Sequence, residues 1–320
     1  MSLIGTHIGK RKTLYETVNY CVEGNLQTFQ FYLANSRGYA INVPSDTDLV
    51  ATRELLSRHP GTNVFVHTCL LYNLNGKVDI DTNPSSVSKG EEMLNLTIDG
   101  LITELDILAA IVVNNKSGAV LHTGSGKDKT RAYQRVINSI NEVLSCEGPH
   151  TVKLAKAVGL KPEELVAKRR LVLEICAGEG NKIGSSIDEL KIIVQGVDTS
   201  IRTKENLKIC IDTAHLHSWG DWNLNEPFAL VDFFEIFEKE LGREMLSCIH
   251  LNDSKVPFGA RKDRHEAIGY GTIFGGESGA DSLEEIVRVI KEWQVPAIME
   301  LPVQSQPYVY LLRGIYERLN

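Results

Sequence analysis

Eight short apolar runs recur along the 320 residues, each followed by a longer amphipathic segment. The runs cover 3–8, 28–33, 63–67, 118–122, 171–175, 207–211, 245–249 and 297–300. Apolar on both faces, they read as parallel strands buried under helices. The segments between them carry helical spacing: in 91–113, Leu94, Ile98, Leu101, Leu105 and Leu108 fall on one face. Helices are expected over 14–23, 46–59, 91–113, 129–144, 186–193, 227–241, 283–291 and 308–318. Eight strand–helix units in a chain of this length point to an α/β fold, a (β/α)8 TIM barrel, more than to a doubly wound sheet. Such barrels carry their chemistry at the C-terminal ends of the strands.

A single domain spanning 1–320 is expected, with two loop insertions at 75–89 and 146–170. Residues 75–89 are polar and turn-rich and read as an exposed loop after the third strand. Residues 146–170 contain Lys161-Pro162-Glu163-Glu164-Leu165, where a proline in the first turn suits an extra helix.

Composition narrows the class. Hydrophobic residues make up 42% and charged residues 23%, as in an ordinary soluble globular protein. No apolar run reaches the roughly 18–20 residues that span a bilayer. The N-terminus enters the first strand without a secretory apolar segment. A soluble intracellular protein with no membrane partner is expected. None of the six cysteines forms a C-x-x-C pair, which argues against a thiolate zinc site. Cys176, Cys210 and Cys248 sit in or just after apolar runs and read as buried, reduced core residues. A disulfide involving Cys21 or Cys146 stays open. The net charge of −7 argues against a polyanionic partner unless the carboxylates hold cations. Three divalent ions would nearly neutralise it.

The ends of the runs carry the chemistry. His67 and His122 close the third and fourth, and Glu174 lies at the end of the fifth. Asp212 ends the sixth, with His215 three residues on. His250 ends the seventh, Asp263 and His265 follow in its loop, and Glu300 ends the eighth. A single histidine at a strand end is commonly structural, and a single aspartate there is commonly a helix cap. Glu174 and Glu300 resist that explanation, because each follows an apolar run where an unpaired carboxylate is costly. Nine imidazoles and carboxylates at one end of a barrel are the donor set of a borderline metal such as zinc. His59 and His150 read as surface residues, His7 as a neighbour of the cluster and His217 as a bystander.

The order of the motifs is more specific still. Gly5-Thr6-His7, His67, Leu121-His122-Thr123-Gly124-Ser125, Glu174 with Ala177-Gly178-Glu179-Gly180, Cys210-Ile211-Asp212-Thr213-Ala214-His215, His250-Leu251-Asn252-Asp253-Ser254-Lys255, Asp263-Arg264-His265 and Glu300 run through nearly the whole chain. In this order they resemble the endonuclease IV family of apurinic/apyrimidinic (AP) endonucleases. The resemblance implies three zinc ions per chain. His67, His122 and Glu174 would hold one. Glu174 would bridge to a second, held also by Asp212, His250 and Glu300. His215, Asp263 and His265 would hold the third. It also implies a base-excision DNA repair hydrolase, cutting the phosphodiester 5′ to an abasic site and leaving a 3′-hydroxyl. The zinc ions would activate the attacking water and stabilise the leaving oxygen, with Glu174 and Glu300 as the catalytic carboxylates. The partner would be duplex DNA with abasic sites, and the protein a monomer.

Arg37 matches a family arginine that enters the duplex. Leu70 and Leu71 stand where the family places an aromatic–apolar wedge, so the stacking aromatic is missing there. Thr123 replaces a usual proline, and Ile175 and Cys176 replace polar residues. Two other readings compete. A divalent-metal sugar isomerase or epimerase on the same barrel would need one or two ions. A non-catalytic DNA-lesion binder would bind without cutting.

Overall fold

In the computed structural model, which describes residues 3–76, 84–203 and 205–319, eight parallel strands close into a barrel. They are β1 (Ile4–His7), β2 (Thr28–Tyr32), β3 (Asn63–His67), β4 (Gly118–His122), β5 (Leu171–Glu174), β6 (Leu207–Asp212), β7 (Leu246–His250) and β10 (Ala297–Met299). Neighbours pair in chain order, and β10 closes the ring between β7 and β1. A two-stranded antiparallel ladder, β8 (Asp253–Ser254) with β9 (His265–Glu266), lies in the loop after β7. The expected (β/α)8 barrel is therefore present, and each strand falls within a residue or two of its expected run.

The helices wrap the barrel: α1 (Leu14–Glu23), α2 (Asp46–Arg58), α3 (Pro84–Ile111), α4 (Lys129–Ser145), α5 (Thr151–Ala157) and α6 (Pro162–Val166) in the first half. α7 (Ile187–Gly196), α8 (Thr213–Trp219), α9 (Pro227–Leu241), α10 (Gly276–Trp293) and α11 (Gln306–Arg318) follow. Their starts are set by side chains that accept orphan backbone N–H groups. Thr13 and Glu16 form a reciprocal capping box on α1, and Ser45, Asp128 and Ser186 cap α2, α4 and α7. Gly5 is required by packing between β1 and β2, since a Cβ there would lie 1.7 Å from the Thr28 carbonyl oxygen.

Several expectations change. α8 was not expected, and α10 starts at Gly276 rather than at 283. Residues 84–89 are the first turns of α3 rather than loop, because Pro84 suits a helix start and the polar run behind it continues into the apolar face. Asn75 and Gly76 are buried rather than exposed, and 77–83 lie outside the described residues. The stretch 146–170 contains α6, as its proline suggested, and also α5, which the pattern did not reveal. All six cysteines are free and only Cys146 is exposed, so the open question of a disulfide closes. No described helix is long and apolar enough to cross a membrane.

The core has two parts. A large outer layer packs the helices on the barrel, and a small inner cluster fills the barrel itself: Phe65, Val120, Val172, Cys210, Cys248 and Ile298. Strand side chains alternate with a period of two. The inward residues one step further along are His67, His122, Glu174, Asp212, His250 and Glu300. An apolar floor thus lies under a ring of imidazoles and carboxylates at the C-terminal mouth.

A buried ion pair ties residues 146–170 to α3. Arg169 meets both oxygens of Asp106 at 2.7 and 3.1 Å, and neither side chain is exposed. The same guanidinium donates to the Val143 and Cys146 carbonyls, and Thr151 donates to Asp106. Removing one partner strands a buried charge. Arg169→Leu is expected to destabilise the protein by about 3–5 kcal/mol in urea unfolding. The added change Asp106→Leu should recover part of the loss, and a single variant within about 1 kcal/mol of wild type would contradict the assignment.

Candidate metal centre

The ring is assembled by strand register. His122 is level with Glu174 on the β4–β5 pair, and Asp212 is level with His250 on the β6–β7 pair. Asp212 also caps α8, accepting from the His215 backbone N–H through Oδ1 at 3.0 Å. Its Oδ2 is left facing the His250 and His265 rings. The cap that an aspartate after a strand suggests and the ligand that the histidines suggest are the same residue, one oxygen for each.

Four groups of donor atoms result among the described residues, the atoms of each group within 4.8 Å of one another: three at the mouth, His67, His122 and Glu174; Glu174, Asp212, His250 and Glu300; and Asp212, His215 and His265; and a fourth in which His250 meets Cys210 and Cys248 of the floor. Asp263 lies against the third group, 3.2 Å from His215 Nε2 and 3.4 Å from His265 Nε2. All nine expected residues meet at one site. Asp212 additionally joins the third group, to which sequence had given only His215, Asp263 and His265.

Glu174 is the hub and has no exposure. Its Oε2 faces His67 Nε2 at 3.4 Å and His122 Nε2 at 3.0 Å. Its Oε1 faces His250 Nδ1 at 3.0 Å and His215 Nδ1 at 3.3 Å. Burial alone would raise its carboxyl, but the His122 and His250 imidazoles outweigh burial and hold it well below the usual carboxylate range. Glu300 is held low against burial by His250, His7 and His67. Burial lowers His250, yet Cys210, Glu300 and Glu174 raise it well above an ordinary imidazole. Burial likewise lowers His215, and Asp212 and Asp263 raise it well above. In His122 burial prevails and the shift is downward.

The histidines are aimed from behind. His67 Nδ1 donates to the Thr68 carbonyl at 3.0 Å, His215 Nδ1 to the Ile175 carbonyl at 2.9 Å, and His265 Nδ1 to the Glu300 carbonyl at 3.1 Å. A carbonyl only accepts, so each Nδ1 carries the proton and each Nε2 turns to the carboxylates. Among the described residues, Glu174 Oε2, His215 Nε2 and His265 Nε2 are buried without a hydrogen-bond partner. Such orphans are rare and costly in a native protein. Ligand atoms about 2.1 Å from a tetrahedral zinc stand about 3.4 Å apart. Most imidazole–carboxylate separations, 3.0 to 3.4 Å, lie at or just under that edge, while His250 Nδ1 and Asp212 Oδ2 stand 3.8 Å apart. The residues fit divalent ions.

Four residues that sequence did not assign complete the site. Asn252 donates to Asp212 Oδ2 at 2.8 Å and accepts from the Glu300 backbone N–H at 2.7 Å, so it aligns two carboxylates. Gln30, buried in β2, bridges His250 and Glu300. Tyr32 lines the cleft beside the His7 and His67 rings. Asp253 accepts five backbone N–H groups, from Ser254, Gly269, Gly271, Ile273 and Phe274, and so shapes the loop that carries Asp263 and His265. Asn252 and Asp253 were visible in the His-Leu-Asn-Asp-Ser-Lys motif, and Gln30 as an amide in an apolar strand.

The other expected residues spread out. Leu70 is 41% exposed and lines the cleft, whereas Leu71 packs against the core. Arg37 is exposed on a turn held to the Leu70 segment by the Leu70 N–H and the Ser36 carbonyl, 2.9 Å apart. His7 lines the cleft. His217 is buried away from the cleft residues, bonded to Leu224 and Thr272, and burial pushes it down to about 4.

Comparison with known proteins agrees with this architecture. The family model described as xylose isomerase-like TIM barrel matches residues 18–302. "Probable endonuclease 4" of Staphylococcus aureus (strain JH9) is 29% identical over 304 residues, covering 94% of this chain and 88% of the relative. "Probable endonuclease 4" of Lachnoclostridium phytofermentans is 27% identical over 311 residues, covering 96% and 89%. Among solved structures, endonuclease IV from Thermus thermophilus superposes with a TM-score of 0.70 at 21% identity, covering 98% of both chains. A D-tagatose 3-epimerase-like protein shares the fold at a TM-score of 0.55 and 17% identity, again over 98% of both chains.

The Asp253 clasp is testable on its own. Asp253→Asn replaces an acceptor oxygen with an NH2 group facing backbone N–H donors. It is expected to cost about 2–4 kcal/mol in urea unfolding and to speed proteolysis within 254–274. Stability within about 0.5 kcal/mol of wild type would remove the clasp from the account.

Proposed function

The chain belongs to the xylose isomerase-like TIM barrel family, on its endonuclease IV branch, and from that premise we propose a zinc-dependent AP endonuclease of base excision DNA repair. The observation that carries this reading is Glu174, whose two oxygens face two different donor groups across a buried ring of histidines. A carboxylate so placed would serve two cations, and the orphaned nitrogens of His215 and His265 would turn to a third. The proposed holders are His67, His122 and Glu174 for one ion; Glu174, Asp212, His250 and Glu300 for the second; and His215, Asp263 and His265, with Asp212 beside them, for the third.

Zinc held there would supply a deprotonated water at neutral pH and offset charge on a phosphate. The chain's residues do the positioning. Glu174 ties the donor groups together, and Glu300, held by Gln30 and Asn252, lies at the cleft where it can orient the attacking water. Water oxygen bonds to phosphorus, the P–O3′ bond breaks, and the leaving oxygen takes up a proton as the 3′-hydroxyl. No side-chain nucleophile is required.

The loops around the mouth suit a polyanion although the whole chain is acidic. Lys10, Arg11 and Lys12 follow β1, Arg37 follows β2, and Lys255, Arg261, Lys262 and Arg264 follow β7, all exposed. They would contact DNA phosphates. Leu70 would wedge at the lesion with Arg37 beside it, while Leu71 supports the loop from the core side. A missing base lowers the cost of opening the stack, which suits a leucine in place of an aromatic.

A duplex carrying one tetrahydrofuran abasic analogue should be incised 5′ to the lesion without added magnesium, and prolonged chelation should stop the reaction. An intact duplex after overnight incubation with zinc-loaded protein would sink the proposal. About three zinc ions per chain are expected by elemental analysis, where a sugar isomerase would hold one or two. Glu174→Ala should abolish incision and lose more than one ion, since it breaks two groups together. Near-wild-type cleavage by that variant would refute the bridging role.

A further inference from the structure

β2 delivers no proposed ligand to the ring, yet its inward residue Gln30 is fully buried among ligands. The amide nitrogen lies 2.6 Å from Glu300 Oε1 and 3.1 Å from His7 Nδ1. The amide oxygen lies 3.0 Å from His250 Nε2. These three contacts fix one another. An ionised carboxylate only accepts, so the nitrogen of Gln30, not its oxygen, must face Glu300. Its oxygen then faces His250 and can only accept, so His250 carries its proton on Nε2. In the singly protonated ring that a cation would bind, the lone pair of His250 is therefore on Nδ1, the atom 3.0 Å from Glu174 Oε1 and 3.2 Å from Glu300 Oε2.

The second amide hydrogen of Gln30 points to His7. In a neutral His7, Nδ1, which also lies 3.6 Å from Glu300 Oε1, accepts it and the ring's own proton is then on Nε2. His7 Nε2 has no hydrogen-bond partner among the described residues, and the ring lines the cleft beside Leu70 and Glu300, tilted against Tyr32 at 4.7 Å. One amide thus orients two imidazoles for different tasks.

We propose that Gln30 is a positioning residue that sets the tautomers of both histidines: His250 turns Nδ1 to a cation, and His7 presents Nε2–H in the cleft as a donor to a phosphate oxygen of the bound nucleic acid. The part concerning His7 and phosphate rests on the endonuclease reading above, and the part concerning His250 rests only on a divalent ion. His250 differs in this from His67, His215 and His265, which turn Nε2 to the ring because backbone carbonyls hold their Nδ1. Gln30 does for His250 from a side chain what backbone carbonyls do for His67, His215 and His265.

The test uses the full-length zinc-loaded protein labelled with ¹⁵N-histidine. Two-bond ¹H–¹⁵N correlation spectra should show Nε2–H tautomers for both His250 and His7. In Gln30→Leu, zinc competition titrations should show one ion bound about 10- to 100-fold more weakly than in wild type and the others unchanged. Both rings should lose their single tautomer. Gln30→Met, closer in shape, serves if the leucine variant does not fold, and the wild-type spectrum decides the tautomers without any variant. His7→Phe should keep all its zinc and raise KM for the abasic duplex about 10-fold or more with little change in kcat. An Nδ1–H tautomer at either ring in wild type, or unaltered zinc affinity in a folded Gln30 variant, would overturn the proposal. Tautomers and zinc affinity are read without nucleic acid. Absence of incision would therefore fail the endonuclease reading alone, and incision with the wrong tautomers would fail this inference alone.

Discussion

Everything at the mouth depends on the contact between an apolar floor and the charged ring above it. Phe65, Val120, Val172, Cys210, Cys248 and Ile298 seal the barrel, and six polar side chains follow one strand step later. The floor denies water to the ring from below. A carboxylate such as Glu174, with no exposure, can stay ionised there only if positive charge is brought to it. The neighbouring carboxylates raise the proton affinity of His215 and His250 against burial, which records that demand. The orphaned atoms show that the chain's own groups do not satisfy it fully. Divalent ions, with more charge and more directions of bonding, would answer it better.

The same constraint explains why so much of the chain supports the ring instead of joining it. A donor set misaimed by an ångström would leave a lone pair buried and unmet. Backbone carbonyls turn three of the imidazoles, Asn252 and Gln30 fix the carboxylates, and Asp253 gathers five N–H groups to set the loop of Asp263 and His265. In the motif His250-Leu251-Asn252-Asp253, each polar residue has a separate task. His250 faces the ring, Asn252 aligns Asp212 with Glu300, and Asp253 folds the loop that follows.

The fold was legible because parallel strands buried on both faces leave continuous apolar runs, and the donor set was legible because polar residues end those runs. β3 and β4 were read to the residue for this reason. What was not legible depends on partners distant in sequence. Gln30 looks like any polar residue in a strand until His250, 220 positions away, is placed against it. α5 is seven residues long, and its place is set by Asp106, through Thr151 and Arg169, more than by its own periodicity. The start of α3 was misread because serine and lysine near a proline suit a turn as well as a first helical turn. Leu70 and Leu71 were indistinguishable as neighbours in sequence, and only packing separates the one in the cleft from the one on the core.

Net charge is a poor guide to partners for a chain built this way. The value of −7 counts carboxylates that are spent inside the ring, where they neutralise imidazoles and would neutralise cations. What a polyanion would meet is the loop surface, and there Lys255, Arg261, Lys262 and Arg264 stand exposed within ten residues of one another. At physiological ionic strength charges are felt over about 8 Å, so this local surface outweighs acidic residues on the far helices. Arg261 stacks on Trp219 at 4.6 Å, and Arg264 lies 3.9 Å from Glu179, whose carboxylate accepts the Asp263 backbone N–H. The basic loop and the proposed third cation group are therefore one structural unit: the segment that supplies Asp263 and His265 to the ring also carries the cations that face outward.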